Sequence, residues 1–211
     1  LASSVLIAFL LYTKGKTSTM SHLWIFCCFY ITIWGIGGYK FSTTTSKEIA
    51  FFWWQIAHIG VILTPVGYYH FIYSFLELKK KYQKFILYLA YLLGLIFLYL
   101  NFAFPKNVFL GDLKFTFNEF YQHDWFSQKN IIYLFFYISF YWVLLSYAFF
   151  LLILNFDQSS GIKKNQIKYF ILASIIGWLG PHGDYLTVFR FDVYPYSNFL
   201  IAIYPFIFAY A

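Results

Sequence analysis

The sequence predicts an all-α polytopic membrane protein, a seven-transmembrane helix bundle, and three observations carry that prediction. Of 211 residues, 61% are hydrophobic and only 11% are charged, against roughly 25% charged in an ordinary soluble domain. The apolar residues fall into seven runs, 2–13, 22–41, 50–75, 84–104, 131–155, 167–186 and 193–211. None of the runs shows the in/out alternation of an outer-membrane strand, so helices that satisfy their own backbone hydrogen bonds are the way across lipid.

The first run is about a dozen residues before Lys14, short of the roughly 20 a helical span needs. The chain starts with Leu and reads as a fragment, and no small-residue cleavage pattern of a signal peptide follows. The second run holds adjacent Cys27 and Cys28, which cannot frame a disulfide scaffold and lack metal-ligand spacing, so they read as small apolar fillers.

The third run, "FFWWQIAHIGVILTPVGYYHFIYSF", presents two faces. At 100° per residue Gln55, His58, Ile62, Pro65 and Tyr69 share one face, with Gly60, Thr64 and Gly67 nearly opposite. The small-residue face is expected to admit a neighbouring helix closely. The amide and imidazole at membrane depth need partners, either a ligand or another helix.

Between the fourth and fifth runs lies the longest connection, residues 105–130, where "VFLGDLKF" suggests a hairpin turning at Gly111–Asp112. It is expected outside, either as a lid over the outer mouth or as an inert ordered loop. The sixth run contains "GWLGPHGDYL". Gly180, Pro181 and Gly183 predict an interruption or a helix end there, leaving His182 and Asp184, with Arg190 and Asp192, as a polar cluster on the outer face. The seventh run carries Asn198, which needs a partner, and Pro205, which removes a helical hydrogen bond and predicts a kink or loosening near mid-span.

Lysine placement orients the chain. With the N-terminus outside, the inner side holds Lys14, Lys16, Lys79, Lys80, Lys81, Lys84, Lys163, Lys164 and Lys168, while Lys40, Lys47, Lys106, Lys114, Lys129 and Arg190 lie outside. The inner set is packed into three short loops, so the C-terminus is expected in the cytoplasm. The net charge of +7 sits in clusters between apolar runs, which points to the lipid bilayer and its anionic headgroups and away from nucleic acid.

Catalytic signatures are missing. The chain has no GxSxG elbow, no HExxH, no Gly-rich phosphate loop and no paired carboxylates at membrane depth. The last run has no lysine for a retinal Schiff base. His58 and His70 lie about 18 Å apart along one helix and could ligate haems only with matching histidines elsewhere, so neither a cofactor nor a metal site is expected. The ligand-binding candidates are Gln55, His58, His182, Asp184 and Asn198.

The stretch "YFILASIIGWLGPHGDYLTVFRFDVYPYSNFLIAIYPFIFAYA" resembles the end of the N-terminal seven-transmembrane region of bacterial sensor histidine kinases. Tyr194, Pro195 and Asn198 match the opening of that family's last helix, Tyr204 and Pro205 its middle, and Tyr210 with Ala211 its exit. Pro65 and Trp34 are weaker matches, and "GPHGD" departs from the family's glycine- and asparagine-rich turn. The resemblance is specific over about forty residues and covers most of the chain in topology.

It implies a single sensor domain over 1–211 in the bacterial cytoplasmic membrane, without catalysis of its own. An outer or membrane-dissolved ligand would act through Tyr194, Pro195, Pro205 and Tyr210 of the seventh helix on a fused cytoplasmic output domain, in a homodimer. The alternatives are a small transporter with its site near His58 and Asp184, and a purely structural membrane subunit.

Overall fold

The computed structural model describes residues 2–14, 18–103, 109–124, 131–188, 191, 193–194 and 196–210. Helices dominate: α1 (Ala2–Lys14), α2 (Thr19–Thr43), α3 (Lys47–Phe75) and α4 (Lys81–Ala103) precede a hairpin of β1 (Asp112–Thr116) and β2 (Phe120–Asp124). There follow α5 (Ile131–Phe135), a π-helical segment (Phe136–Trp142) and α6 (Val143–Gln158), then α7 (Gly161–Val188), a 3₁₀ turn (Tyr196–Phe199) and α8 (Leu200–Tyr210). Among the described residues four helical segments, Thr19–Thr43, Lys47–Phe75, Lys81–Ala103 and Phe136–Gln158, are long and apolar enough to cross a membrane, while Ala2–Thr13 and Tyr196–Tyr210 are shorter apolar helices.

Local chemistry sets several of the boundaries. Ser18 Oγ accepts from Ser21 N at the start of α2, and Ser46 Oγ accepts from Ile49 N at the start of α3, each satisfying an N–H that the helix itself cannot. Glu48 in the first turn of α3 adds negative charge where the helix dipole favours it. At the start of α4, Gln83 Oε1 accepts from Lys80 N.

The centre of the molecule is α3. Its His58, Ile62 and Tyr69 are 0% exposed, and Pro65 is fully buried with them, so the face deduced from periodicity is the one turned inward. The opposite face packs on α2, the most extensive interface in the fold. A Cβ added at Gly60 would come within 2.7 Å of Trp34 N, and one at Gly37 of α2 within 2.5 Å of Ala57 N. The two backbones thus approach through reciprocal glycines, the packing mode expected in lipid. On its other sides α3 meets α4 and α6, and Tyr68 donates to Ser174 Oγ of α7 at 2.6 Å while that hydroxyl donates to Phe170 O.

Two expectations are corrected. The hairpin exists, but it turns at Phe117–Asn118, whose φ values are 54° and 56°, with Glu119 N donating to Thr116 O. Gly111 (φ 69°) instead bends the chain into β1, and Asp112 is drawn off by its own strand, accepting from Leu113 N, and by Lys47, 2.8 Å away. The turn was hidden because a phenylalanine stands at a left-handed position that usually calls for Gly or Asn.

Second, α7 neither breaks nor ends at "GPHGD" but continues through Pro181 to Val188. Packing against α8 explains this: a Cβ at Gly177 or Gly180 would meet Tyr204 or Ile201, and Ser197 Oγ donates to Gly180 O at 2.7 Å. Pro205 lies inside α8 and is fully buried. The seventh apolar run becomes regular only at Tyr196, later than its hydropathy suggests.

Candidate functional site

Two polar junctions tie α3 to its neighbours near the end that carries the hairpin. Gln55 Nε2 donates to Asn101 O at 2.8 Å, and Asn101 Nδ2 donates to Gln55 O at 2.9 Å. This reciprocal pair clamps α3 to α4. One turn further along α3, His58 Nδ1 lies 2.9 Å from Trp54 O. A carbonyl can only accept, so Nδ1 carries the proton and Nε2 is the acceptor. The Tyr133 hydroxyl, 3.1 Å away on α5, therefore donates to Nε2.

Sequence reasoning left Gln55 and His58 open between a ligand and another helix; Gln55 meets Asn101 of α4, and His58 meets Tyr133 of α5 and its own preceding turn. It missed Asn101 and Tyr133 altogether. Asn101 stands in an apolar run with no motif around it, although an amide at membrane depth was itself a signal.

An aromatic cage closes over this level. Phe109, from the connection after α4, is 2% exposed and packs with Phe97 at 5.7 Å, Tyr133 at 5.5 Å, Phe136 at 5.3 Å and His58 at 6.5 Å between ring centroids. Leu110 beside it is also 2% exposed. Phe136 opens the π-helical segment, a conformation that widens a helix and is frequent at functional sites.

The hairpin is clasped from two sides. Lys47 pairs with Asp112, and Tyr121 donates to Thr45 O at 3.1 Å, both across to the α2–α3 junction. On the other side Tyr194, just before the last helix, donates to Glu119 Oε2 at 3.1 Å and packs on Phe117 and Phe120. The hydrogen bond to Glu119 and that residue's negative charge hold the Tyr194 phenol above its ordinary value of 10.0.

The last helix is gripped again at its far end. Phe208, 3% exposed, stacks on Trp24 of α2 at 3.8 Å and on Phe170 of α7 at 4.5 Å, with Phe71 of α3 at 5.0 Å. Tyr210 is exposed and meets Tyr169 edge-on at 5.0 Å.

Asn198 is half-buried in the 3₁₀ turn. His182 and Asp184 lie on the backbone of α7, but their side chains, like Pro195 and the Arg190 and Asp192 of the predicted cluster, lie outside the described residues. His70 bonds Tyr91 of α4 through Nδ1 at 2.7 Å. Among the described residues no three His, Cys, Asp or Glu side chains converge as metal ligands.

Helices of membrane-spanning length, buried interhelical polar pairs and close glycine packing define a helical membrane protein. The chain belongs to a family of signalling proteins: the family model for the N-terminal 7TM region of histidine kinase matches residues 1–211. It is therefore the sensory membrane region of that kind of protein. Neither the curated proteins nor the solved structures contain a match.

Proposed function

We propose that this region is a single seven-helix transmembrane domain of a bacterial cytoplasmic membrane, with its N-terminus outside and its C-terminus inside. In this reading a signal at the outer end or in the membrane is passed through the last helix to a fused cytoplasmic output, in a homodimer. The supporting observation is how the last helix is held: Tyr194 is tied to the hairpin at one end, and Phe208 sits in a socket of three other helices at the other. A helix held at two separated points can transmit a shift if its outer hold changes, provided the signal favours one arrangement over the other.

Gln55, His58 and Asn198 are the proposed ligand contacts, with His182 and Asp184 as outer-face candidates. Tyr194, Pro195, Pro205 and Tyr210 are the proposed relay. The test is output from the full-length protein in proteoliposomes, measured as autophosphorylation. Glu119→Gln and Tyr194→Phe should each change the basal level by at least threefold with the protein folded, while Glu48→Gln should not. Unchanged output in both variants would refute the relay.

A further inference from the structure

We propose that Phe109 and Leu110 are a tethered plug occupying a binding site in the outer mouth, and that the site's external ligand is a compact aromatic molecule carrying one hydrogen-bond donor. The inference rests on the reading that the outer end around Gln55 and His58 receives the signal, and it adds the ligand's chemical class.

Two observations point to the class, and a third links the site to the last helix. First, the occupant comes from a connection, not from a helix: Phe109 and Leu110 are 2% exposed although they belong to no regular element. Burying two such side chains from an irregular segment requires a preformed apolar receptacle, here Phe97, Tyr133 and Phe136. The shape of that receptacle is set by a benzene ring. A ring of similar size can replace it with little repacking, because one aromatic exchanges for another among the same partners.

Second, α4 carries an unfilled acceptor one turn from the ring on which Phe109 stacks. Asn101 is 2% exposed, and its Oδ1 has no hydrogen-bond partner among the described residues. The amide cannot be turned over to cure this, since Nδ2 is committed to Gln55 O and Oδ1 would then face that carbonyl. Asn101 stands one helical turn outward of Phe97, the ring on which Phe109 stacks. Phe109 has no donor to offer it; a phenol or indole has. A buried acceptor left unpaired by the resident group and satisfied by the incoming one discriminates strongly between ligands with and without the donor.

Third, removal of the plug has a mechanical consequence. Leu110 is followed by Gly111 and β1, and the turn of the hairpin carries Glu119, which meets Tyr194 before the last helix. Lifting the plug therefore pulls on the segment that holds that helix. Because the plug competes from the same chain, the wild-type affinity is reduced by the fraction of time the plug is seated.

The probe pair is 4-ethylphenol and ethylbenzene, which differ in the donor. In the complete chain in nanodiscs, Leu110→Cys is alkylated by a water-soluble maleimide; Cys27 and Cys28 are 4% and 0% exposed and provide the unreactive background. 4-Ethylphenol should raise the alkylation rate of Cys at 110 at least fivefold and saturably, and ethylbenzene at matched concentration should raise it less than twofold. In Leu110→Cys/Asn101→Leu the difference between the two probes should vanish. Directly measured binding of 4-ethylphenol should tighten at least tenfold in Phe109→Ala.

An unchanged or slowed alkylation rate with 4-ethylphenol overturns the plug. Equal effects of the two probes overturn the role of Asn101 and the ligand class. If alkylation responds as expected while output of the full-length protein does not, the site stands and the relay fails; if Glu119→Gln changes output but no probe releases the plug, the relay stands and this site fails.

Discussion

Phe208→Ala tests the inner grip on the last helix. In the native packing the Phe208 ring stacks on Trp24 with centroids 3.8 Å apart and planes 12° from parallel, and on Phe170 at 4.5 Å and 26°. It also meets Phe71 at 5.0 Å and Tyr68 at 6.3 Å in inclined or edge-on contacts. In a soluble core such a truncation costs about 3–5 kcal/mol, part of it transfer out of water. In lipid the surroundings are as apolar as the core, so that part is absent and packing remains. Ring pairs contribute about 0.5–1.5 kcal/mol each, and with two close stacks and two weaker contacts the expected loss is about 2–4 kcal/mol.

The assay is reversible unfolding of the purified chain in mixed detergent micelles with increasing SDS. The internal control is Phe206→Ala, two residues away on the same helix, where the ring is 45% exposed and its loss is expected to cost under about 0.5 kcal/mol. Phe208→Leu, which keeps most of the volume and loses the ring faces, should fall between. If Phe208→Ala and Phe206→Ala destabilise equally, the aromatic socket does not hold the helix and the reasoning fails.

Other expectations follow from the same geometry. Gly60→Ala should separate α2 from α3, because its Cβ would lie 2.7 Å from Trp34 N, at a cost of about 1–3 kcal/mol; Gly38→Ala, which meets nothing within 4 Å, is the neutral comparison in the same unfolding assay. A double-mutant cycle with Gln55→Leu and Asn101→Leu should give a coupling of about 0.6–1.7 kcal/mol, the range for membrane hydrogen bonds, and additive losses would refute reciprocal support. For Tyr194 the proton is held more tightly in the folded state, so its contribution is complete below 10.0 and is lost as pH rises through the higher folded value. Glu119→Gln should bring that midpoint down, read as the phenolate absorbance that Tyr194→Phe removes.

Much of the fold is legible in the chain because membrane solvation acts locally. Long apolar runs in lipid must become helices, so five of the seven runs correspond to long helical segments, and the first and last runs hold the shorter helices Ala2–Thr13 and Tyr196–Tyr210. The same local logic picked out the buried face of His58, Ile62, Pro65 and Tyr69 and the close-packing face of Gly60, since both follow from a 100° repeat. Where it misled, a local rule met a distant contact. Pro181 and its glycines signal a helix end, yet α8 lies against Gly177 and Gly180 and α7 continues to Val188. Gly-Asp signals a turn, yet Lys47 engages Asp112 and the chain turns five residues later.

The sequence by itself determined that this is a helical membrane protein, which side of α3 turns inward, and that the amide and imidazole at Gln55 and His58 require partners. Those conclusions need only periodicity and the high cost of an unsatisfied polar group in lipid. The tertiary structure alone decided who the partners are: Asn101 for Gln55, Tyr133 for His58, Glu119 for Tyr194, and the aromatic cage for Phe109. The three hydrogen-bonded pairs join residues 46 or 75 positions apart. No repeat along the chain encodes such a meeting, because it depends on the relative rotation and depth of separate helices, which their packing sets together.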